Sequence, residues 1–207
     1  MRRRSAIFGM AFGLCALSGC VGPGGDAVSA ISPIPIVRIA TASIAPSVAA
    51  GREARAPSGY LGVCKRNPGE CGEPADQPDR IGLTADVWAK LKEVNGVVNA
   101  AIQPEADQEH YGAADFWTIP VDGRGDCEDY VLAKRKMLVL LGLPQPALRI
   151  TVALDGAVRH AVLTVATDRG DYVLDSLKNE ILTTDKAGYA WVERQERASA
   201  TGWVAMR

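Results

Sequence analysis

The sequence predicts an α+β domain in which helices come first and an antiparallel sheet follows. Apolar residues recur at helical spacing in two stretches between residues 84 and 141, and they alternate with a period of two in short stretches from residue 148 onward. Turn-forming pairs that contain glycine separate the later stretches, as in β-hairpins. Helices followed by a run of hairpin-connected strands are typical of an α+β fold.

The first nineteen residues have the pattern of a secretory signal. Arg2–Arg4 precede an apolar run from Ala6 to Leu17, which is shorter than the roughly 20 residues that cross a bilayer. The run ends in Leu-Ser-Gly-Cys, which resembles the cleavage box of bacterial lipoproteins. We therefore expect residues 1–19 to be a signal peptide and Cys20 to be lipidated, so that a lipid anchor alone attaches a periplasmic protein to a membrane. An ordinary secretory signal with an incidental cysteine is the alternative.

The rest of the chain divides into a tether and one domain. Residues 20–56 are rich in alanine, proline, serine and glycine without a lasting period, which predicts a flexible tether. Ile34–Ile39 within it is also compatible with an edge strand. Residues 57–207 suit one domain, and the 47% hydrophobic content of the chain supplies a core. The formal charge of −1 becomes −4 without residues 1–19, and no basic, aromatic-interleaved patch indicates nucleic acid.

The cysteines fit an exported protein. Cys64 and Cys71 flank a Pro-Gly turn, and in an oxidising compartment we expect them to form a disulfide. A zinc site is the alternative, but neither histidine of the chain is near them. With Cys20 assigned to the lipid, Cys127 is the unpaired cysteine of the domain, and it is therefore a candidate reactive thiol.

Two helices are predicted before the sheet. The first begins at Thr84 as N-cap and ends before Pro104, and the second runs from about Cys127 to Leu141, where Gly142 stops it. Residues 105–125 between them are predicted to be a loop. The apolar stripe of the first helix consists of Val87, Leu91, Val94, Val98 and Ile102.

Five strands are predicted after these helices. Asp155-Gly156 predicts a hairpin turn between the first two strands, and Asp168-Arg169-Gly170 predicts a turn between the second and the third. The five stretches are 148–154, 158–165, 171–175, 189–194 and 202–206.

Cys127 stands where a glycine-containing loop is predicted to become a helix. Backbone N–H groups at a helix N-terminus and the helix dipole favour the thiolate, so we expect the pKa of Cys127 to fall below the free value of about 8.5. A thiolate nucleophile needs a base and a residue that orients the base.

His160 and Asp175 are the predicted base and orienting residue. If Val165 faces Gly170 across the turn, His160 lies directly opposite Asp175, with Cβ atoms about 5 Å apart on one face. A shift of one residue would place them on opposite faces. His110, the other histidine, has no evident carboxylate partner in a regular element and ranks second.

The residues around these positions resemble the bacterial transglutaminase-like cysteine peptidases. The resemblance covers residues 57–207. One departure is Ser176, where an asparagine often follows in the family, and another is the absence of long insertions; both weaken the transfer of a specific substrate. The matching motifs are Gly123–Tyr130, Ala133-Lys134, Leu141–Pro144, His160–Leu163 and Tyr172–Asp175, with Cys64–Cys71 and Val94–Asn99 upstream.

The resemblance implies a papain-like fold, in which the helix that carries Cys127 packs on the sheet that carries His160 and Asp175. Cys127 would be the nucleophile, His160 the general acid and base, and Asp175 the orienting residue, with no cofactor required for the chemistry. The implied function is that of an exported cysteine peptidase that cleaves envelope or surface proteins through an acyl-enzyme. The N–H of Cys127 is the natural oxyanion donor, and Asn99 or Trp117 are candidates for a side-chain donor.

Some members of the family bind calcium through acidic residues around the cysteine. Asp126, Glu128 and Asp129 occupy the matching positions in this chain. A bound divalent cation would offset the repulsion between these carboxylates and a thiolate. The alternative interpretation is that Asp126 caps the helix and that Glu128 and Asp129 complement its dipole.

Two other functions are compatible with the same residues. The triad would serve transglutaminase or amidase chemistry if an amine accepted the acyl group, and the fold alone would serve a non-catalytic envelope-binding module. The expected partners are a protein substrate in the cell envelope and, by the resemblance, a regulatory membrane protein.

Overall fold

The computed structural model describes residues 50–72, 76–196 and 201–206. Within these ranges, helices pack on an antiparallel sheet, which confirms the predicted α+β class. The predicted signal peptide, Cys20 and the segment Ile34–Ile39 lie outside the described residues.

The helices begin and end close to the predicted positions. The side-chain oxygen of Thr84 accepts a hydrogen bond from the backbone N–H of Val87, so the predicted N-cap is confirmed. Gly142, with φ +87°, follows the end of the helix that begins at Cys127. No helix of the described ranges is long and apolar enough to span a bilayer. The helices are α1 (Ser58–Arg66), α2 (Ala85–Ala101), α3 (Asp107–His110) and α4 (Cys127–Leu140), with 3₁₀ turns at Pro68–Cys71 and Gln145–Ala147.

Seven strands form one sheet, in the order β1-β9-β8-β4-β5-β6-β7, and β2 pairs with β3 in parallel. The central strands β4 and β5 are joined by a two-residue loop that begins with Gly156, whose φ of +60° suits glycine. The strands are β1 (Ala50–Ala54), β2 (Gln103–Pro104), β3 (Arg124–Gly125), β4 (Leu148–Asp155), β5 (Val158–Thr167), β6 (Gly170–Leu174), β7 (Leu182–Thr183), β8 (Ala190–Gln195) and β9 (Trp203–Met206).

The folded domain includes a first strand that lies upstream of residue 57, the predicted boundary. β1 pairs with β9 at the edge of the sheet, so residues 50–54 belong to the folded domain rather than to a tether. The sequence of this strand, Ala-Gly-Arg-Glu-Ala, has no alternating apolar pattern. Backbone hydrogen bonds to a neighbouring edge hold such a strand, and a periodicity search does not detect them.

The main core lies between the helices and one face of the sheet. α4 packs on β5, and α2 packs on α4. The disulfide between Cys64 and Cys71, with sulfurs 2.04 Å apart, is present as predicted and joins α1 to the turn that follows it. The other face of the sheet buries a smaller cluster of Ala153, Val162, Val173, Ala187 and Tyr189. Fully buried side chains of the main core include Leu91, Val94, Leu132, Leu138, Ile150 and Leu163.

β5 and β6 form the predicted hairpin, but the predicted register was wrong by two residues. Thr167 pairs with Gly170, so the loop has two residues instead of four. The Thr167 hydroxyl accepts from the N–H of Arg169 and donates to the carbonyl of Gly170, which closes the tighter turn. Asp175 therefore lies diagonal to His160 rather than opposite it. Because side chains alternate with a period of two, a shift of two residues keeps both side chains on one face.

Lys134 on α4 is fully buried, and its Nζ has no hydrogen-bond partner among the described residues. Burial lowers its pKa from 10.5 to about 7, against the opposing charge of Asp175. Between these pH values the folded state binds fewer protons at Lys134 than the unfolded state does, so the contribution of this residue to stability should rise as the pH rises from 7 toward 10.

Lys134→Met keeps most of the side-chain volume and removes the cost of burying the amine. We expect it to raise the free energy of unfolding at pH 7 by about 1–3 kcal/mol and to flatten the pH dependence above pH 7. Urea unfolding at both ends of this range measures the effect, with Lys92→Met on the exposed side of α2 as control. A variant that is less stable at pH 7 than the parent would show that the amine stabilises the fold.

Candidate active site

Cys127 is the first residue of α4, as the sequence predicts, and Asp126 occupies the N-cap position. It is the free cysteine of the described residues. Its sulfur accepts a hydrogen bond from the backbone N–H of Ala161 at 3.3 Å and donates one to Oε2 of Glu128 at 3.0 Å. Because Ala161 follows His160 on β5, these contacts hold the sulfur next to the backbone that carries the histidine.

The prediction that the pKa of Cys127 falls below its free value was wrong. Burial raises this pKa above its usual range, and the charge of Glu128 and its hydrogen bond raise it further. The hydrogen bond from the N–H of Ala161 lowers the pKa, but by less than burial and Glu128 raise it. A helix N-terminus stabilises a thiolate by a modest amount, whereas desolvation and an adjacent carboxylate both oppose it. The surroundings of Cys127 therefore favour the protonated thiol over the thiolate.

His160 and Asp175 form the predicted pair. Nε2 of His160 lies 2.8 Å from Oδ1 of Asp175, and the two residues are only 5% and 2% exposed. Burial alone would raise the pKa of Asp175, but hydrogen bonds from His160, Tyr189 and the backbone N–H of Leu177 hold it below its usual range. An ionised carboxylate only accepts hydrogen bonds, so the imidazole donates from Nε2. In the neutral imidazole, Nδ1 then carries the free lone pair.

A cavity of about 480 Å³ lies between α4 and β5. Cys127 and His160 both line it, together with Trp117 and Arg159. The indole N–H of Trp117 donates to Oδ1 of Asp115 at 2.6 Å, so it is not free to stabilise an oxyanion.

Asn99 is also occupied elsewhere. Its side-chain amide donates to the backbone carbonyl of Asp175 at 2.9 Å and to Asn179, so it supports the loop after β6. Neither Asn99 nor Trp117 is thus the side-chain oxyanion donor in this conformation. The N–H of Cys127, in the first turn of α4, is still suited to this role.

His110 has a carboxylate partner that the sequence did not reveal. Its Nε2 lies 2.8 Å from Oδ2 of Asp122, which belongs to the loop after α3. Neither residue lines the cavity of Cys127 and His160. This second His-Asp pair is consequently outside the candidate active site, which agrees with its lower rank.

An acidic cluster lies beside the N-terminus of α4. Carboxylate oxygens of Asp107, Asp126 and Asp129 lie within 4.8 Å of one another. Asp107 accepts a hydrogen bond from the N–H of Phe116, and Asp129 accepts one from the N–H of Thr118 at 2.7 Å. Each of the three acids also has one buried oxygen without a hydrogen-bond partner among the described residues.

The negative charges in this cluster repel one another. Burial raises the pKa of Asp129 to about 7 and also raises the pKa of Asp107, and the charge of Asp126 adds to both shifts. The side chain of Asp126 makes no capping hydrogen bond to α4, so the helix-cap interpretation does not account for it. Three convergent carboxylates, each with one unpartnered oxygen, offer the hard oxygen ligands that calcium prefers.

The cluster differs from the predicted acidic set by one residue. Asp126 and Asp129 belong to it, but Glu128 lies with Asp126 and Cys127 in a separate group of potential ligands. Burial and the neighbouring Asp126 raise the pKa of Glu128. The third member is Asp107, at the start of α3, which the sequence analysis missed because no local motif connects it to Cys127.

One comparison with known proteins identifies a family. Residues 50–207 match the family model described as bacterial transglutaminase-like cysteine proteinase. Among solved structures, calcium-bound LapG of Legionella pneumophila is 31% identical, with a TM-score of 0.49 over 57% of this chain and 69% of that chain. LapG of the same organism treated with EGTA is 32% identical, with a TM-score of 0.49 over 57% and 67%. No curated protein matches the chain.

Proposed function

Since the chain belongs to the family of bacterial transglutaminase-like cysteine proteinases, we propose that it is an exported cysteine peptidase that cleaves proteins of the cell envelope or surface. The observation that carries the proposal is the buried hydrogen bond between His160 and Asp175, together with the cavity that both Cys127 and His160 line. These are the nucleophile, the base and the orienting residue that acyl transfer requires.

The chemistry follows from the protonation states of these three residues. Nδ1 of His160 takes the thiol proton, and the thiolate of Cys127 attacks the carbonyl carbon of the scissile peptide bond. The N–H of Cys127 stabilises the negative oxygen that forms. His160 then gives its proton to the leaving amine, which leaves the acyl group as a thioester. A water molecule, deprotonated by His160, hydrolyses the thioester and restores the thiol.

Asp175 keeps its negative charge during this cycle. Its hydrogen bond fixes the imidazole of His160 in the tautomer with the proton on Nε2, and its charge stabilises the imidazolium between the two proton transfers. Both residues are buried, so water does not compete for this contact.

We further propose that Asp107, Asp126 and Asp129 hold a calcium ion. Their buried, unpartnered oxygens fit the ion, and its charge would offset the repulsion of the carboxylates next to Cys127. The chain itself supplies the nucleophile and the base.

Calcium is expected to stabilise the folded protein. At a free concentration 100-fold above the Kd, one bound ion adds about 2.7 kcal/mol to the free energy of unfolding. Thermal unfolding with calcium and with a chelator measures this shift, and titration calorimetry measures the stoichiometry of one. Asp129→Asn should abolish both signals, whereas Asp86→Asn, an exposed acid on α2, should retain them. Absence of binding in the parent protein would exclude the site.

Peptide release in cells tests the proposed activity. A deletion strain that expresses the parent protein should release fragments of envelope proteins, and the same strain with Cys127→Ala should not. Equal release from both strains would overturn the peptidase assignment. If purified protein instead joins an added amine to the acyl fragment, the transglutaminase alternative applies.

A further inference from the structure

Tyr189 is a buried residue next to the site, and it belongs neither to the triad nor to the lining of the cavity. Its hydroxyl donates a hydrogen bond to Oδ2 of Asp175. The other oxygen, Oδ1, accepts from Nε2 of His160 at 2.8 Å and from the backbone N–H of Leu177 at 2.9 Å. Hydrogen bonds thus hold both oxygens of the carboxylate.

A carboxylate that is held at one oxygen alone can still rotate about its Cβ–Cγ bond, because this torsion has a broad energy well. Such a rotation would move Oδ1 of Asp175 out of line with the imidazole of His160. The N–H of Leu177 restrains this rotation at Oδ1, and the hydroxyl of Tyr189 restrains it further by holding Oδ2. It is also one of the groups that keep the pKa of Asp175 below its usual range.

The ring of Tyr189 is itself held in place. Gly188, with φ +80°, precedes it and directs the chain into β8. The ring centroid lies 5.6 Å from that of His160 and 5.9 Å from that of Trp191, and the ammonium of Lys178 lies 4.6 Å above the ring. The hydroxyl is therefore a preorganised donor, and Tyr189→Phe removes it while keeping the ring.

We propose that Tyr189 is a positioning residue of this site: through Asp175 it keeps His160 in the tautomer whose Nδ1 is free to accept the thiol proton. The proposal rests on the triad chemistry proposed above. A hydroxyl that only satisfies a buried carboxylate would affect unfolding but not the tautomer of His160, and this difference makes the role testable.

Nitrogen NMR of the imidazole rings reads the tautomer directly. The chain contains two histidines, so labelled histidine gives two sets of signals, which His110→Gln assigns. The measurement uses the Cys127→Ala background, which excludes an ion pair between His160 and the thiolate. It is made at alkaline pH, which keeps the imidazole neutral. We expect the proton of His160 on Nε2 alone with Tyr189 present and a mixture of both tautomers in Tyr189→Phe. The Nε2–H tautomer alone in both proteins would overturn the proposal.

Alkylation of Cys127 by iodoacetamide gives a second readout, with Cys127 intact. Tyr189→Phe should slow this alkylation about tenfold. The expected decrease in rate is smaller than the one that a complete change to the wrong tautomer of His160 causes. Tyr172→Phe, the same change on β6 in a ring that packs on Trp88, is the matched control and should react at the parent rate. In the Asp175→Asn background, Tyr189→Phe should have no further effect, because it acts through the carboxylate.

The results separate the two levels of the proposal. A parent-like rate in Tyr189→Phe, together with a slow rate in His160→Ala, overturns the role of Tyr189 alone. An unchanged rate in His160→Ala overturns the triad chemistry on which it rests. An additive loss in the double variant shows that Tyr189 acts independently of Asp175, and it also overturns the positioning role.

Discussion

His160→Ala is expected to slow the alkylation of Cys127 at mildly acidic pH by about 10²–10⁴-fold, the usual contribution of a general base. Burial and Glu128 raise the pKa of the thiol, so little thiolate forms unless a neighbouring group accepts the proton. His160 is the histidine that shares the cavity with the sulfur. Iodoacetamide labelling followed by mass spectrometry measures the rate.

The chain offers a matched control for this experiment. His110 also contacts an aspartate, Asp122, at 2.8 Å, but it lies outside the cavity. His110→Ala should therefore leave the alkylation rate of Cys127 at the parent value. If both variants react like the parent, Cys127 is an ordinary buried thiol, and the enzyme assignment fails.

Asp175→Asn is expected to lower kcat by about 10⁴-fold with little change in KM. The amide still fills the space of the carboxylate, but it has no charge to stabilise the imidazolium of His160. It also lets the imidazole adopt the tautomer with the proton on Nδ1, which cannot accept a proton from Cys127. Steady-state kinetics on a released envelope protein measure the effect.

Asp122→Asn is the control for this variant, since it makes the same change at the partner of His110 and should keep the parent kcat. Thermal unfolding shows whether each protein is folded. A folded Asp175→Asn protein with kcat within about tenfold of the parent would show that Asp175 does not orient the base.

Local sequence signals predicted the elements that hold the site. Thr84, Gly142 and the glycine of the β4–β5 loop mark element ends by their own conformational preferences, and the structure places the ends there. Cys127 is recognisable because a helix start is itself a local signal. Such features depend on a few consecutive residues, so the sequence displays them directly.

The β5–β6 register depends on more than alternation. The period of two specifies which residues share a face, and it therefore placed His160 and Asp175 together correctly. It does not distinguish registers that differ by two residues, because both keep the same faces. The hydrogen bonds of Thr167 decide between them by closing the tighter turn.

The remaining features depend on tertiary structure. Asp107 and Tyr189 reach the site from segments that are distant in sequence from Cys127 and Asp175, and no local pattern marks them. The pKa of Cys127 is similar, since the sequence shows the helix N-terminus but not the burial that outweighs it. A local motif thus singles out Cys127, whereas its surroundings depend on the tertiary fold.

A covalent bond between Cys127 and the acyl part of a substrate is the most direct signature of the proposed chemistry. Purified protein is mixed with an envelope protein that it releases, quenched in acid and analysed by peptide mass spectrometry. We expect a thioester on Cys127 whose added mass equals that of the N-terminal fragment of the substrate less one water, and which hydroxylamine removes. Cleavage that continues in Cys127→Ala, with no adduct on the parent protein, would contradict a cysteine peptidase mechanism.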